Sequence, residues 1–72
     1  MDIDQNVLQN LLNSNPQFRL LYEEHSLFEK RLAEFEKKGF LSPQDEIEVL
    51  TVKKMKLAGK DQMERLVASA TN

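Results

Sequence analysis

The chain has 72 residues, no cysteine and a formal net charge of −2. This length limits it to one domain. In a domain of fewer than about 70–80 residues, the hydrophobic core contributes only a few kcal/mol to the free energy of unfolding, and disulfides, metals or self-association often add to it. The absence of cysteine excludes disulfides and thiolate metal sites. The slightly acidic balance gives no general attraction to nucleic acid or anionic lipid.

The N-terminal stretch MDIDQ is acidic, and no long apolar run follows it. We therefore expect neither a signal peptide nor a membrane span. A chain without cysteine also fits the reducing cytoplasm, which is the expected location. Only two glycines and two prolines occur, a composition that favours helices joined by short turns.

The segment at 1–14 is predicted to form a short N-terminal amphipathic helix. We expect it to run from about Ile3 to Asn13, with Asp2 as its N-cap and Gln5 three residues later. Its apolar residues recur at helical spacing, at Ile3, Val7, Leu8, Leu11 and Leu12.

The segment at 15–70 is predicted to form an antiparallel two-helix coiled-coil hairpin, with helices at about 16–38 and 43–69. The connection is only about four residues long, which makes the two helices antiparallel neighbours. Each helix carries residues at alternating steps of three and four, the spacing of a coiled-coil seam. The first seam is Phe18, Leu21, His25, Phe28, Leu32 and Phe35, and the second is Val49, Val52, Lys56, Gly59, Met63, Leu66 and Ala70.

Capping residues mark the ends of these two helices. Asn15 is a favourable N-cap for the first, and Gly39 can take the left-handed position that ends it. Ser42 caps the next helix, with Asp45 three residues later in a capping-box pattern.

The two seams also predict a register, in which Leu32 packs against Val52 and Phe35 against Val49. Charged residues beside the seams agree with this register. The expected ion pairs are Glu29–Lys53 and Lys38–Glu48.

The stretch VKKMKLAGKDQM, at 52–63, contains four lysines and a Gly-Lys pair. A phosphate-binding loop is excluded, because Asp61 follows the pair and the stretch lies within a predicted helix. The favoured interpretation is a solvated helix face with ion pairs. The alternative is an anion-binding or nucleic-acid surface formed by Lys53, Lys56 and Lys60.

His25 is the only histidine, and it lies on the predicted seam. Glu29, four residues later, can accept a hydrogen bond from its ring. The sequence offers neither three metal ligands nor a second catalytic group near His25. We therefore expect no metal, no cofactor and no catalytic residue. Two explanations are open for Gly59, which faces His25 in this register: either it leaves room for the imidazole, or it is a neutral substitution.

Two further rows of large aliphatic residues lie away from the seams. Leu20 and Leu27 form one row, and Ile47, Leu50 and Leu57 form the other. Aligned apolar rows on an outer surface indicate contacts. We predict that these five residues form an interaction surface, most simply in a homodimer, although the N-terminal helix could cover Leu20 and Leu27 instead.

The strings NPQFRLLYEEHSLFEKRLAEFE and KKMKLAGKDQM resemble the YdcH-type family of small bacterial proteins of unknown function. The resemblance covers about residues 15–67. It rests on His25 with Phe28 and Glu29, and on Lys53, Lys54, Lys56, Leu57, Lys60 and Asp61. The chain departs from the family at Met55 and Gly59. The resemblance implies a helical hairpin with a tendency to associate, and it implies no established activity.

Together these features predict a self-associating, non-enzymatic protein-interaction module with an unidentified protein partner and no membrane contact. The alternative is a nucleic-acid-associated accessory protein that uses the lysine face.

Overall fold

The computed structural model describes residues 3–71, with side chains described to residue 70. This part of the chain is helical except at short connections and contains no strand, which confirms the predicted all-α class. The helices are α1 (Gln5–Ser14), α2 (Pro16–Lys38) and α3 (Pro43–Thr71).

α1 begins later than predicted. Its N-cap is Asp4, whose carboxylate accepts hydrogen bonds from the backbone N–H groups of Asn6 at 2.8 Å and Val7 at 3.4 Å. The predicted cap, Asp2, lies outside the described residues. The predicted start at Ile3 is wrong, because Ile3 precedes the observed cap and packs against the core instead.

A single residue, Asn15, joins α1 to α2. Its backbone N–H donates to the carbonyl of Leu11 at 2.9 Å, and its side-chain oxygen accepts from the N–H of Phe18 at 3.0 Å. Asn15 therefore ends one helix and caps the next, while Pro16 occupies the first turn of α2, where it removes no helical hydrogen bond.

The turn at 39–42 has the capping residues predicted from the sequence. Gly39 has φ +70°, in the left-handed region that disfavours side chains, and ends α2. At the start of α3, the Ser42 hydroxyl accepts from the N–H of Asp45 at 3.1 Å, and the Asp45 carboxylate accepts from the N–H of Ser42 at 3.2 Å. These two bonds confirm the capping box.

The main hydrophobic cluster lies at the end of the molecule far from this turn, while Phe35 and Val52 are buried nearer to the turn. Leu8 and Leu11 of α1 pack with Phe18 of α2 and Met63 of α3, and neither Phe18 nor Met63 has any exposed surface. Partly buried residues of all three helices surround this cluster. α1 therefore contacts both long helices, which also pack against each other.

Three ion pairs join α2 to α3. Their partners differ from the expected ones: Glu29 pairs with Lys56 at 3.9 Å rather than with Lys53, and Lys38 pairs with Asp45 at 3.3 Å rather than with Glu48. Glu48 instead accepts from the Arg31 guanidinium, with Nε at 2.9 Å. Lysine and arginine side chains are long enough to reach the neighbouring turn of the partner helix, so the seam alone does not determine their partners.

Candidate interaction surfaces

The five residues predicted to form an interaction surface are all exposed. The exposed fractions are 57% for Leu20, 62% for Leu27, 65% for Ile47, 61% for Leu50 and 61% for Leu57. These values are high for leucine and isoleucine, which are usually buried. The chain thus carries uncovered aliphatic surface on both long helices.

α1 does not cover the row on α2. Leu8 and Leu11, its buried residues, lie against Phe18 in the core. Leu20 and Leu27 remain exposed. The alternative prediction, in which α1 folds over these two leucines, is therefore wrong, because the one-residue connection brings α1 onto the α2–α3 contact instead.

The exposed rows face different sides of the molecule. A groove between α2 and α3 is lined by Glu29 and Lys53, among others. Leu27 lies two residues before Glu29 on α2, which corresponds to a rotation of about 200° around the helix axis. Leu27 therefore points away from this groove. Leu57 lies about 40° from Lys53 around α3 and lines the continuation of the groove. Leu20 and Leu27 therefore form one surface, and Leu50 and Leu57 another.

The groove has a volume of about 620 Å³ and lies near the turn. Its apolar lining comes from Leu32, Phe35, Leu41 and Val49. Phe35 and Val49, which were predicted to pack against each other, therefore face the same space. Sequence patterning assigned Leu32 and Val49 wholly to the seam, yet both are only half-buried. The groove is open because α1 does not extend along α2 and α3 as far as the turn, and the periodicity does not give the position of α1 on the two long helices.

The three lysines of the alternative anion-binding surface lie together. Lys53, Lys56 and Lys60 line one groove along α3, with Leu32 as a neighbour. Lys56 is half-buried and paired with Glu29, whereas Lys53 and Lys60 have no ion pair among residues 3–70. The three lysines therefore lie on one surface as predicted, but Glu29 partly neutralises the charge of Lys56.

His25 packs within the molecule. Its Nε2 lies 2.7 Å from the Glu29 carboxylate, and its side chain is 17% exposed. The buried Nδ1 has no hydrogen-bond partner in the described part of the chain. The expected contact with Glu29 is confirmed.

The steric explanation for Gly59 is wrong. A Cβ built at this position meets no atom within 4 Å. The imidazole of His25 therefore does not require a glycine here, because a methyl group would project into open space.

Two exposed apolar residues were not assigned to a surface from the sequence. Phe40 is 81% exposed at the turn, and Met55 is 43% exposed on α3. Met63, by contrast, is fully buried. The sequence could have indicated that Phe40 is exposed, because Phe40 directly follows Gly39, where the chain leaves α2 and no helical neighbour covers a side chain.

Residues 3–71 contain no group of three His, Cys, Asp or Glu side chains placed to hold a metal ion. Within the same range, no helix is long and apolar enough to cross a membrane.

Comparison with known proteins adds no assignment: no protein-family model, curated protein or solved structure matches the chain.

Proposed function

We propose that this chain is a small protein-interaction module, built on an antiparallel helical hairpin, that self-associates and has no catalytic activity. The antiparallel arrangement is supported by the order of the ion pairs. Glu29 pairs with Lys56, Arg31 with Glu48 and Lys38 with Asp45, so the residue numbers rise on α2 as they fall on α3.

The observation that carries self-association is the exposure of the five large aliphatic side chains. Burying a leucine side chain is favourable by about 1.5–3 kcal/mol. Several such residues together offset the loss of translational and rotational freedom, estimated at about 4–15 kcal/mol. A homodimer with two-fold symmetry is the simplest closed assembly.

The total surface supports the same proposal. The accessible surface is 5547 Å² for a chain of 8.4 kDa. A compact monomer of this mass has about 4,600 Å². The surplus of about 900 Å² is similar to the roughly 800 Å² that each partner buries in a standard protein–protein interface.

Sedimentation tests the proposal with matched variants. Leu50→Lys with Leu57→Lys places two charges, seven residues apart, on the exposed row of α3. Thr51→Lys with Ala58→Lys places the same charges, with the same spacing, on exposed positions of α3 outside that row. We expect the unmodified chain and the Thr51/Ala58 variant to be dimers at about 100 μM, well above the Kd of an association worth about 8 kcal/mol, and the leucine variant to be a monomer.

Leu20→Lys with Leu27→Lys identifies the row involved. If this pair abolishes the dimer and the α3 pair does not, the interface lies on α2. An unmodified chain that sediments only as a monomer at about 100 μM would contradict self-association.

The alternative function, a nucleic-acid-associated accessory protein, is favoured by one observation: Lys53, Lys56 and Lys60 line the same groove. An electrophoretic shift with RNA and DNA at low salt tests it. Replacing the three lysines with glutamine should abolish the shift, because contacts to phosphates provide most non-specific affinity. The absence of any shift at tens of micromolar protein would favour the interaction module.

The resemblance to the YdcH-type family and the cytoplasmic location remain predictions.

A further inference from the structure

The groove between α2 and α3 continues the path that α1 follows. Near its beginning, α1 forms a cleft with α2 that Ile3, Gln5 and Glu29 help to line. Glu29 also lines the groove near the turn. α1 is ten residues long, about 15 Å, while the molecule is 45 Å long. One amphipathic helix therefore occupies the first part of this face, and the part toward the turn has no cover in the described chain.

The uncovered part has the features of a helix-binding groove. Its lining combines apolar side chains, among them Leu32, Leu41 and Val49, with charged residues of both long helices. α1 already binds the same face of the two long helices in this way, since its apolar side, at Leu8 and Leu11, is buried against them. Amphipathic helices bind such grooves through residues spaced three, four and seven apart.

Several charged side chains beside the groove have no ion pair within the described residues. Lys53 and Lys60 are one heptad apart on α3, about 10.5 Å, and neither has an ion pair among residues 3–70. Glu36, on the α2 side of the groove, likewise has none. The basic edge along α3 is therefore free to pair with an external anion.

We propose that this groove binds an amphipathic helix of a different protein, about three turns long, with its apolar side toward Leu32 and Val49. Carboxylates seven residues apart on one edge of that helix pair with Lys53 and Lys60. This site goes beyond self-association, although it shares Leu57 with the exposed row of α3.

Two synthetic peptides of about 14 residues test the proposal. Both carry leucines at alternating steps of three and four. One has glutamates seven residues apart along one edge, and the other has lysines at those positions. Each peptide carries fluorescein and is titrated with the full chain while anisotropy is measured at low and at moderate salt. We expect the acidic-edged peptide to bind at least tenfold more tightly than the basic-edged one, with affinity falling as salt increases.

Charge reversal then locates the site. Lys53→Glu with Lys60→Glu should weaken binding of the acidic-edged peptide at least tenfold. Lys30→Glu with Lys37→Glu makes the same change at the same spacing on α2, outside the groove lining, and should alter binding less than twofold. Circular dichroism verifies that both variants are folded, and sedimentation of the same samples reports self-association separately.

Three results would overturn the proposal. The first is no binding of the acidic-edged peptide at about 1 mM. The second is equal binding by the Lys53/Lys60 variant and the unmodified chain. The third is binding of a single-stranded RNA of similar length that depends on these lysines when neither peptide binds, which would assign the groove to nucleic acid. Because Leu57 lines the groove beside Lys53 and Lys60, sedimentation at the concentrations of the titration shows whether a dimer through the α3 row competes with the peptide.

Discussion

The Asp45 carboxylate accepts hydrogen bonds from Lys38 and from the backbone of Ser42 at the turn. The hydrogen bond from the backbone N–H of Ser42 holds the pKa of this carboxyl below the ordinary value of 3.8, with smaller contributions from Lys38 and the Ser42 hydroxyl. A carboxyl whose pKa is lower in the folded state stabilises that state when ionised. Its contribution is complete above about pH 3.8 and is lost as the pH falls through the lower, folded-state value.

We therefore expect Asp45→Asn to lower the Tm at pH 7, with a difference from the unmodified chain that shrinks below pH 3.8. Thermal unfolding followed by circular dichroism between pH 7 and pH 2.5 measures this difference. Glu46→Gln is the control, since it removes an acid from the same helical turn but no capping bond. A difference that stays constant across the range would contradict the role of the ionised carboxyl.

Gly59 lies inside α3, where glycine costs about 1 kcal/mol relative to alanine. Because a Cβ there meets no atom within 4 Å, Gly59→Ala should raise the free energy of unfolding by up to about 1 kcal/mol. Ala58→Gly, at the neighbouring exposed position, should lower it by a similar amount. Urea unfolding of the two variants measures both changes. A destabilising Gly59→Ala would mean that this position needs its glycine for another reason.

At the scale of the helices, α1 acts as the cover for one end of α2 and α3. Leu11 is 6% exposed and packs with Phe18 and Met63. Replacing a buried leucine with alanine costs about 2–5 kcal/mol. We expect Leu11→Ala to reduce stability within this range, while Leu20→Ala changes it by less than about 0.5 kcal/mol in the monomer. If both leucines gave small effects, α1 would not be packed in solution.

Both ends of α2 and the start of α3 could be predicted because capping is local. Asn15, Gly39 and Ser42 each act within three residues of their own position, so the sequence contains the whole interaction. The start of α1 is harder, since Asp2 and Asp4 are both acceptable caps. Packing of Ile3 with the core accompanies the later start.

Interactions between helices were less predictable. Glu29 lines the same groove as Lys53 and Lys56, so its partner depends on side-chain conformation. The explanation for Gly59 failed for a similar reason, since a seam position does not specify the distance between facing atoms.

At the scale of the whole molecule, the shape explains why some predicted surfaces remain uncovered. The radius of gyration is 14.4 Å, whereas a compact chain of this length has about 11 Å. Two long helices and one short one form a body of 45 × 20 × 17 Å, which is too thin to enclose both sides of each long helix. The sequence predicted that aliphatic rows lie outside the seam, but their division between two faces depends on how α2 and α3 are rotated.

The same shape leads to a prediction about thermal stability. If an isolated chain leaves its aliphatic rows in water, and a second copy covers them, association adds to the stability of the folded state alone. A tenfold rise in protein concentration is worth about 1.4 kcal/mol per dimer, and a domain of this size changes its Tm by about 4–8 °C per kcal/mol. We therefore expect the Tm to rise by several degrees between about 10 and 100 μM. The variant with Leu50→Lys and Leu57→Lys should have a lower Tm that is independent of concentration. A Tm of the unmodified chain that does not change with concentration would contradict coupling between folding and self-association.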